Sequence, residues 1–148
     1  MKLSRAGAVW ALAALAVHLI GNAHYGFFRD ELYFIVCGRH PAAGYVDQPP
    51  LTPLLAALSQ TFGLSLFALR AVPAMCLAFA TYTAIVFVAE LEGGVFAQTV
   101  TGLVMLAAPE MMALGSRLSP DAIELSTWVL IALWALRLAR GGDPRLWL

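Results

Sequence analysis

The sequence predicts an all-α membrane protein of about four transmembrane helices, with a long outer first loop that contains juxtamembrane helices. Three observations predict it. Of the 148 residues, 61% are apolar and 12% charged, against about 45–50% and about 25% in soluble domains. Nine Lys and Arg balance nine Asp and Glu, which removes the basic face that nucleic acid requires and the acidic bias of a disordered chain. The charges are also clustered, and the intervals between them match a bilayer crossing, roughly 20 mostly apolar residues for about 30 Å of hydrocarbon. These few charges and three His are too little to coat a water-soluble surface.

The first span follows Lys2 and Arg5 and runs over 6–23 without a charge. It has the cationic start and small-residue end (Gly21, Ala23) of a secretory signal, but three further spans favour an uncleaved signal anchor. The second span is placed at 66–89, the third at 93–109 and the fourth at 121–137, the last reached by extending an uncharged run back past Glu124. The stretch from Gln48 to Leu69 is uncharged too, but Pro49, Pro50, Pro53, Gln60 and Gly63 make it poor material for one spanning helix. Its first part, Leu51 to Gln60, reads as a short interfacial helix. Lys2, Arg5, Arg137, Arg140 and Arg145 then lie on the cytoplasmic side, and Arg29, Arg39 and Arg117 outside. This is a weak positive-inside bias that puts the N-terminus in the cytoplasm and the 24–65 loop on the outer face of the cell membrane. Arg70, at the mouth of the second span, is expected to snorkel to the interface.

The outer loop carries the chemistry. Tyr25, Phe27 and Phe28 mark the headgroup level, and Arg29, Asp30 and Glu31 follow at once, where low dielectric raises the cost of ionising a carboxylate and strengthens it as a base. A helix from Asp30 to Gly38 places Asp30, Tyr33, Phe34 and Cys37 on one face and turns Glu31 about 100° away. His40-Pro41 and Gly44 break that helix, and Gly44 to Leu51, with Pro49-Pro50, continues extended. The charges can be read simply as a polar stop to the first helix, but a solvated spacer does not need this much punctuation.

These residues resemble the polytopic glycosyltransferases of the GT-C fold, in the branch of the protein O-mannosyltransferases and the lipid A aminoarabinose transferase. The resemblance rests on R-D-E-L-Y-F at Arg29 to Phe34, on H-P-A-A-G-Y-V-D-Q-P-P-L at His40 to Leu51, and on S-P-D at Ser119 to Asp121. It implies transfer of a sugar, with inversion, from a polyprenyl-phosphate donor to an acceptor hydroxyl on a protein, lipid or polysaccharide at the outer face. It also implies that Asp30 is the general base, worth roughly 10²- to 10⁴-fold, and that Asp121 is a second acidic position. Ser119, Pro120 and Asp121 are equally what a helix start favours at N-cap, N1 and N2. Glu31 either orients a partner or is a solvated charge.

The departing lipid phosphate needs a cation; Arg29 and Arg117 are the candidates, with Arg39 better read as a headgroup contact. His40 and Asp47 complete the substrate-binding set, and with Asp30 they are the groups around which a divalent ion would have to sit. No ligand spacing enforces a metal, and no cofactor is expected. His18, inside the first span, is expected to satisfy a neighbouring helix.

Family members are several times longer, and D-P-R-L-W-L at 143–148 reads as the beginning of a fifth span. The chain is therefore expected to be the N-terminal part of such an enzyme, inactive alone. The competing class is a small transport or structural membrane protein whose acids line a water path. Against it, they sit at the outer boundary and not at mid-membrane, where coupling sites lie.

Overall fold

A computed structural model describes residues 4–22, 24–143 and 145. Lys2, Ala23 and most of the 143–148 ending lie outside the described residues, and with them part of the inner cationic flank, the small-residue end of the signal-like stretch and the fifth-span reading.

Among the described residues the chain is entirely helical: α1 Arg5–Gly21, α2 Arg29–Arg39, α3 Leu51–Ser59, α4 Leu66–Glu90, α5 Val95–Ala107, α6 Pro109–Ser116 and α7 Pro120–Ala139. Two of these, α4 and α7, are long and apolar enough to cross a membrane, and α5 with α6 passes as a third span bent by 57°. The 17 residues of α1 rise about 25 Å, the short limit for a crossing. An all-α membrane protein is the class these helices fit.

Local chemistry sets the helix limits. Ser4 caps α1 by accepting the Gly7 N–H at 3.1 Å, and Ser65 caps α4 by accepting that of Ala68 at 3.2 Å. The turn between α3 and α4 passes through Gly63 at φ +116°, a left-handed conformation that glycine adopts without strain. The Gln60 amide closes the turn, bonding both the N–H (2.7 Å) and the carbonyl (3.0 Å) of Ser65. Pro73 lies inside α4 without ending it, as spanning helices tolerate.

Two sequence expectations change here. The connection from Glu110 to Pro120, left between the third and fourth expected spans, is largely the helix α6, because Pro109 at its first turn is preset for helical φ and Glu110 lies favourably at its N-terminus. Ser119 does occupy the N-cap of α7, but its side chain makes no capping bond.

Helix α4 is the hub and packs against α1, α5, α6 and α7. Leu77 and Ala80 of α4 meet Met105 of α5, with Met111 and Leu125 beside them. Toward the other end Leu69 joins Phe34 and Ile35 of α2, Ala56 of α3 and Leu118, so the two loop helices are seated on the bundle by an apolar cluster. At the opposite end Arg137 of α7 donates to the Glu90 carboxylate at 2.9 Å. That pair ties the last turns of α4 and α7 together.

The α2–α3 contact depends on Gly38. A Cβ there would lie 2.6 Å from the Pro53 carbonyl oxygen and 3.1 Å from the Ala57 nitrogen, backbone atoms that cannot rotate aside. Gly38→Ala is expected to lower stability by about 1–3 kcal/mol through overpacking, outweighing the roughly 1 kcal/mol that Ala gains over Gly in a helix. Thermal unfolding in detergent checks this, and a raised midpoint would contradict it.

Candidate active site at the start of α2

The site is built on a buried ion pair. Glu31 is completely buried and Arg70 is 5% exposed. The Arg70 Nε and Nη2 donate to the two carboxylate oxygens, each at 2.9 Å, a bidentate fork. Its remaining N–H groups go to the carbonyls of Asn22 (3.0 Å), Tyr25 (3.3 Å) and Gly26 (2.8 Å). Glu31 also accepts the backbone N–H of Phe28 at 2.8 Å and of Leu118 at 3.2 Å. One carboxylate thus joins the start of α2, the start of α4 and the α6–α7 connection.

The expected snorkelling of Arg70 is therefore overturned. A planar donor fork facing a carboxylate in a dry site gains more from the pair and the three carbonyls than from reaching water. Of the two readings of Glu31, the solvated charge is likewise excluded by its burial.

Two hollows are lined in part by the segments 28–30 and 117–121. The first, of about 310 Å³, is lined by Asp30, Tyr33, Phe34, Asp47, Gln48, Ser119, Pro120 and Asp121. It brings together Asp30, Asp47 and Asp121, three of the acids singled out in the sequence, from three separate segments. Asp30 is half-exposed and accepts from the Arg29 Nε at 3.1 Å, while the Arg29 side chain is 90% exposed. The Ser119 hydroxyl oxygen is buried and has no hydrogen-bond partner among the described residues.

Other predicted residues lie elsewhere. Arg117 stacks over the Phe28 ring at 5.1 Å and lines the second hollow. His40 caps the far end of α2, ten residues and about 15 Å along the helix from Asp30. Among the described residues no group of three or more His, Cys, Asp or Glu is disposed to hold a metal ion, so His40 and Asp47 do not converge with Asp30 on a common point.

Sequence reading gave Tyr33 no role beyond sharing a face with Asp30. Its hydroxyl donates to the Asp47 carboxylate, and that bond, with a smaller contribution from Cys37, holds its pKa well above the ordinary tyrosine range. The i, i+3 spacing from Asp30 was the available signal. Because the folded value is raised, the contribution of this bond to stability is complete below the ordinary tyrosine pKa and is lost as pH rises through the folded value. In an alkaline absorbance titration, the tyrosinate difference between the protein and Tyr33→Phe is expected only above the ordinary tyrosine range. Asp47→Asn should move it down; an unmoved difference would separate the two residues.

Neither a protein-family model, nor a curated protein, nor a solved structure matches the chain.

Proposed function

We propose that the chain carries the acidic part of a membrane glycosyltransferase that moves a sugar from a polyprenyl-phosphate donor to an acceptor hydroxyl at the outer face of the cell membrane. The observation that carries this reading is the hollow in which Asp30, Asp47 and Asp121 meet at the end of an apolar bundle. The resemblance of the same three segments to the GT-C glycosyltransferases supports it.

In this reaction Asp30 takes the proton of the acceptor hydroxyl as its oxygen attacks the anomeric carbon. The bond from that carbon to the phosphate oxygen breaks, and the lipid phosphate leaves with the electron pair, inverting the centre. Asp30 suits the task because it is accessible and held only by Arg29; Glu31, with all its acceptor capacity used internally, does not. Arg29, adjacent and mostly exposed, is free to exchange Asp30 for the departing phosphate, on which charge develops. Asp47, held by Tyr33, and Asp121, at the first turn of α7, orient the acceptor.

The test uses sealed vesicles containing the full-length protein and a radiolabelled polyprenyl-phosphate sugar. Label appearing in a hydroxyl acceptor on the outer side is the expected result. Solute flux without label transfer would replace this reading with transport.

A further inference from the structure

The second hollow, about 360 Å³, lies between α1, α4 and α6 and is lined by His18, Asn22, Tyr25, Phe28, Ser116 and Arg117 among others. Its polar atoms are unusual in kind. His18 and Asn22 are each 2% exposed, and the His18 Nε2 and Asn22 Oδ1 have no hydrogen-bond partner among the described residues.

Both atoms are acceptors. The Ser116 hydroxyl gives its one proton to the Met112 carbonyl at 2.6 Å, so its 3.3 Å contact with the His18 Nδ1 requires the ring to be the donor, and the neutral imidazole keeps its free lone pair at Nε2. The Asn22 Nδ2 donates to the Arg70 carbonyl at 3.1 Å, which fixes the amide and leaves Oδ1 facing without a donor. Buried acceptors of this sort are ordinarily paired, since leaving them bare is costly. The occupant they fit brings hydrogen-bond donors.

The surroundings narrow its class. Arg70 is already saturated by Glu31 and three carbonyls, whereas Arg117 is exposed and supplies a cation at the rim. Val17 of α1, 40% exposed, lines the hollow, and Leu12 and Val9, further along α1 from the polar end, are 65% and 64% exposed. A group with donors inside, a phosphate at the rim and an acyl chain along α1 matches all three features. We propose that this hollow binds a phospholipid whose headgroup donates hydrogen bonds, with the donors on His18 and Asn22 and the phosphate on Arg117.

The test is native mass spectrometry of the detergent-solubilised protein with phosphatidylethanolamine, phosphatidylglycerol or phosphatidylcholine of equal chain length. All three carry the phosphate; only the first two carry N–H or O–H donors. Occupancy by at least one of them is expected to exceed that of phosphatidylcholine by roughly three- to tenfold, the range of one or two ordinary hydrogen bonds. An excess for the ethanolamine lipid identifies an ammonium donor, and one for the glycerol lipid a hydroxyl donor; either supports the proposal.

Asn22→Leu should remove the excess, and Arg117→Gln should weaken all three lipids alike. Equal binding of the three lipids to the unaltered protein, or an excess that survives Asn22→Leu, would overturn the proposal. The comparison among lipids needs no variant, so it decides the matter even where Asn22→Leu does not fold. It reads binding and not transfer, and stands apart from the proposed reaction.

Discussion

Glu31→Ala and Arg70→Ala are each expected to destabilise the protein by about 3–5 kcal/mol, the cost of leaving one member of a buried ion pair without its partner. Here the loss is not confined to the pair. Removing the carboxylate also strips acceptors from the Phe28 and Leu118 N–H groups, and removing the guanidinium leaves the carbonyls of Asn22, Tyr25 and Gly26 without their donor. The double variant Glu31→Leu, Arg70→Leu should recover part of the loss, since no unpaired charge remains, but not all of it, because those backbone groups stay unsatisfied. Equilibrium unfolding of the four forms in detergent measures the coupling. Single losses below about 1 kcal/mol would show that the pair does not hold the α2 end together, by comparison with the 0–1 kcal/mol typical of exposed pairs.

If the proposed glycosyl transfer is the reaction, Asp30→Asn is expected to cut it by about 10²- to 10⁴-fold, the ordinary contribution of a placed general base, while membrane insertion and unfolding midpoint stay close to the original. The contrast with Glu31 follows from burial. Asp30 is half-exposed with one contact to a side chain that is itself 90% exposed, so its removal costs the fold little, whereas its neighbour is completely enclosed. Asp47→Asn and Asp121→Asn, assigned by the proposal to orienting the acceptor and not to taking the proton, should fall between the two forms. A transfer rate within threefold of the original in Asp30→Asn would remove Asp30 from the role of base.

Much of the fold is legible in the sequence because membrane helices are written in the spacing of charges. The intervals around α1 and α4 are uncharged over a crossing length, that in α7 becomes one only by passing Glu124, and the short α3 is announced by Pro49-Pro50 before an apolar run. The loop helix α2 and the shared face of Asp30 and Tyr33 also follow from local period. What local pattern does not contain is partnership. Arg70 alone looks like any interfacial cation; only its contact with a residue 39 positions earlier turns it into the centre of the site. Likewise Asp47 stands out as a loop acid and Asp121 as the acid of a helix start, but their meeting with Asp30 depends on how α2 is seated over Leu69 and Leu118. The bend before α6 hides for a different reason, since Pro109 stops one helix and begins another with the same residue.

The three-way junction at Glu31 also dictates an order of biosynthesis. Its carboxylate is made early, its guanidinium partner lies 39 residues later and the Leu118 N–H 87 residues later. Until the ribosome has delivered α4, Glu31 lacks the Arg70 guanidinium that makes its burial tolerable, and an ionised carboxylate without that partner favours the aqueous phase. The last bond closes only when the chain has passed α6 and begins α7. The hollow that holds Asp30 is therefore complete only once Ser119, Pro120 and Asp121 of its wall have been made.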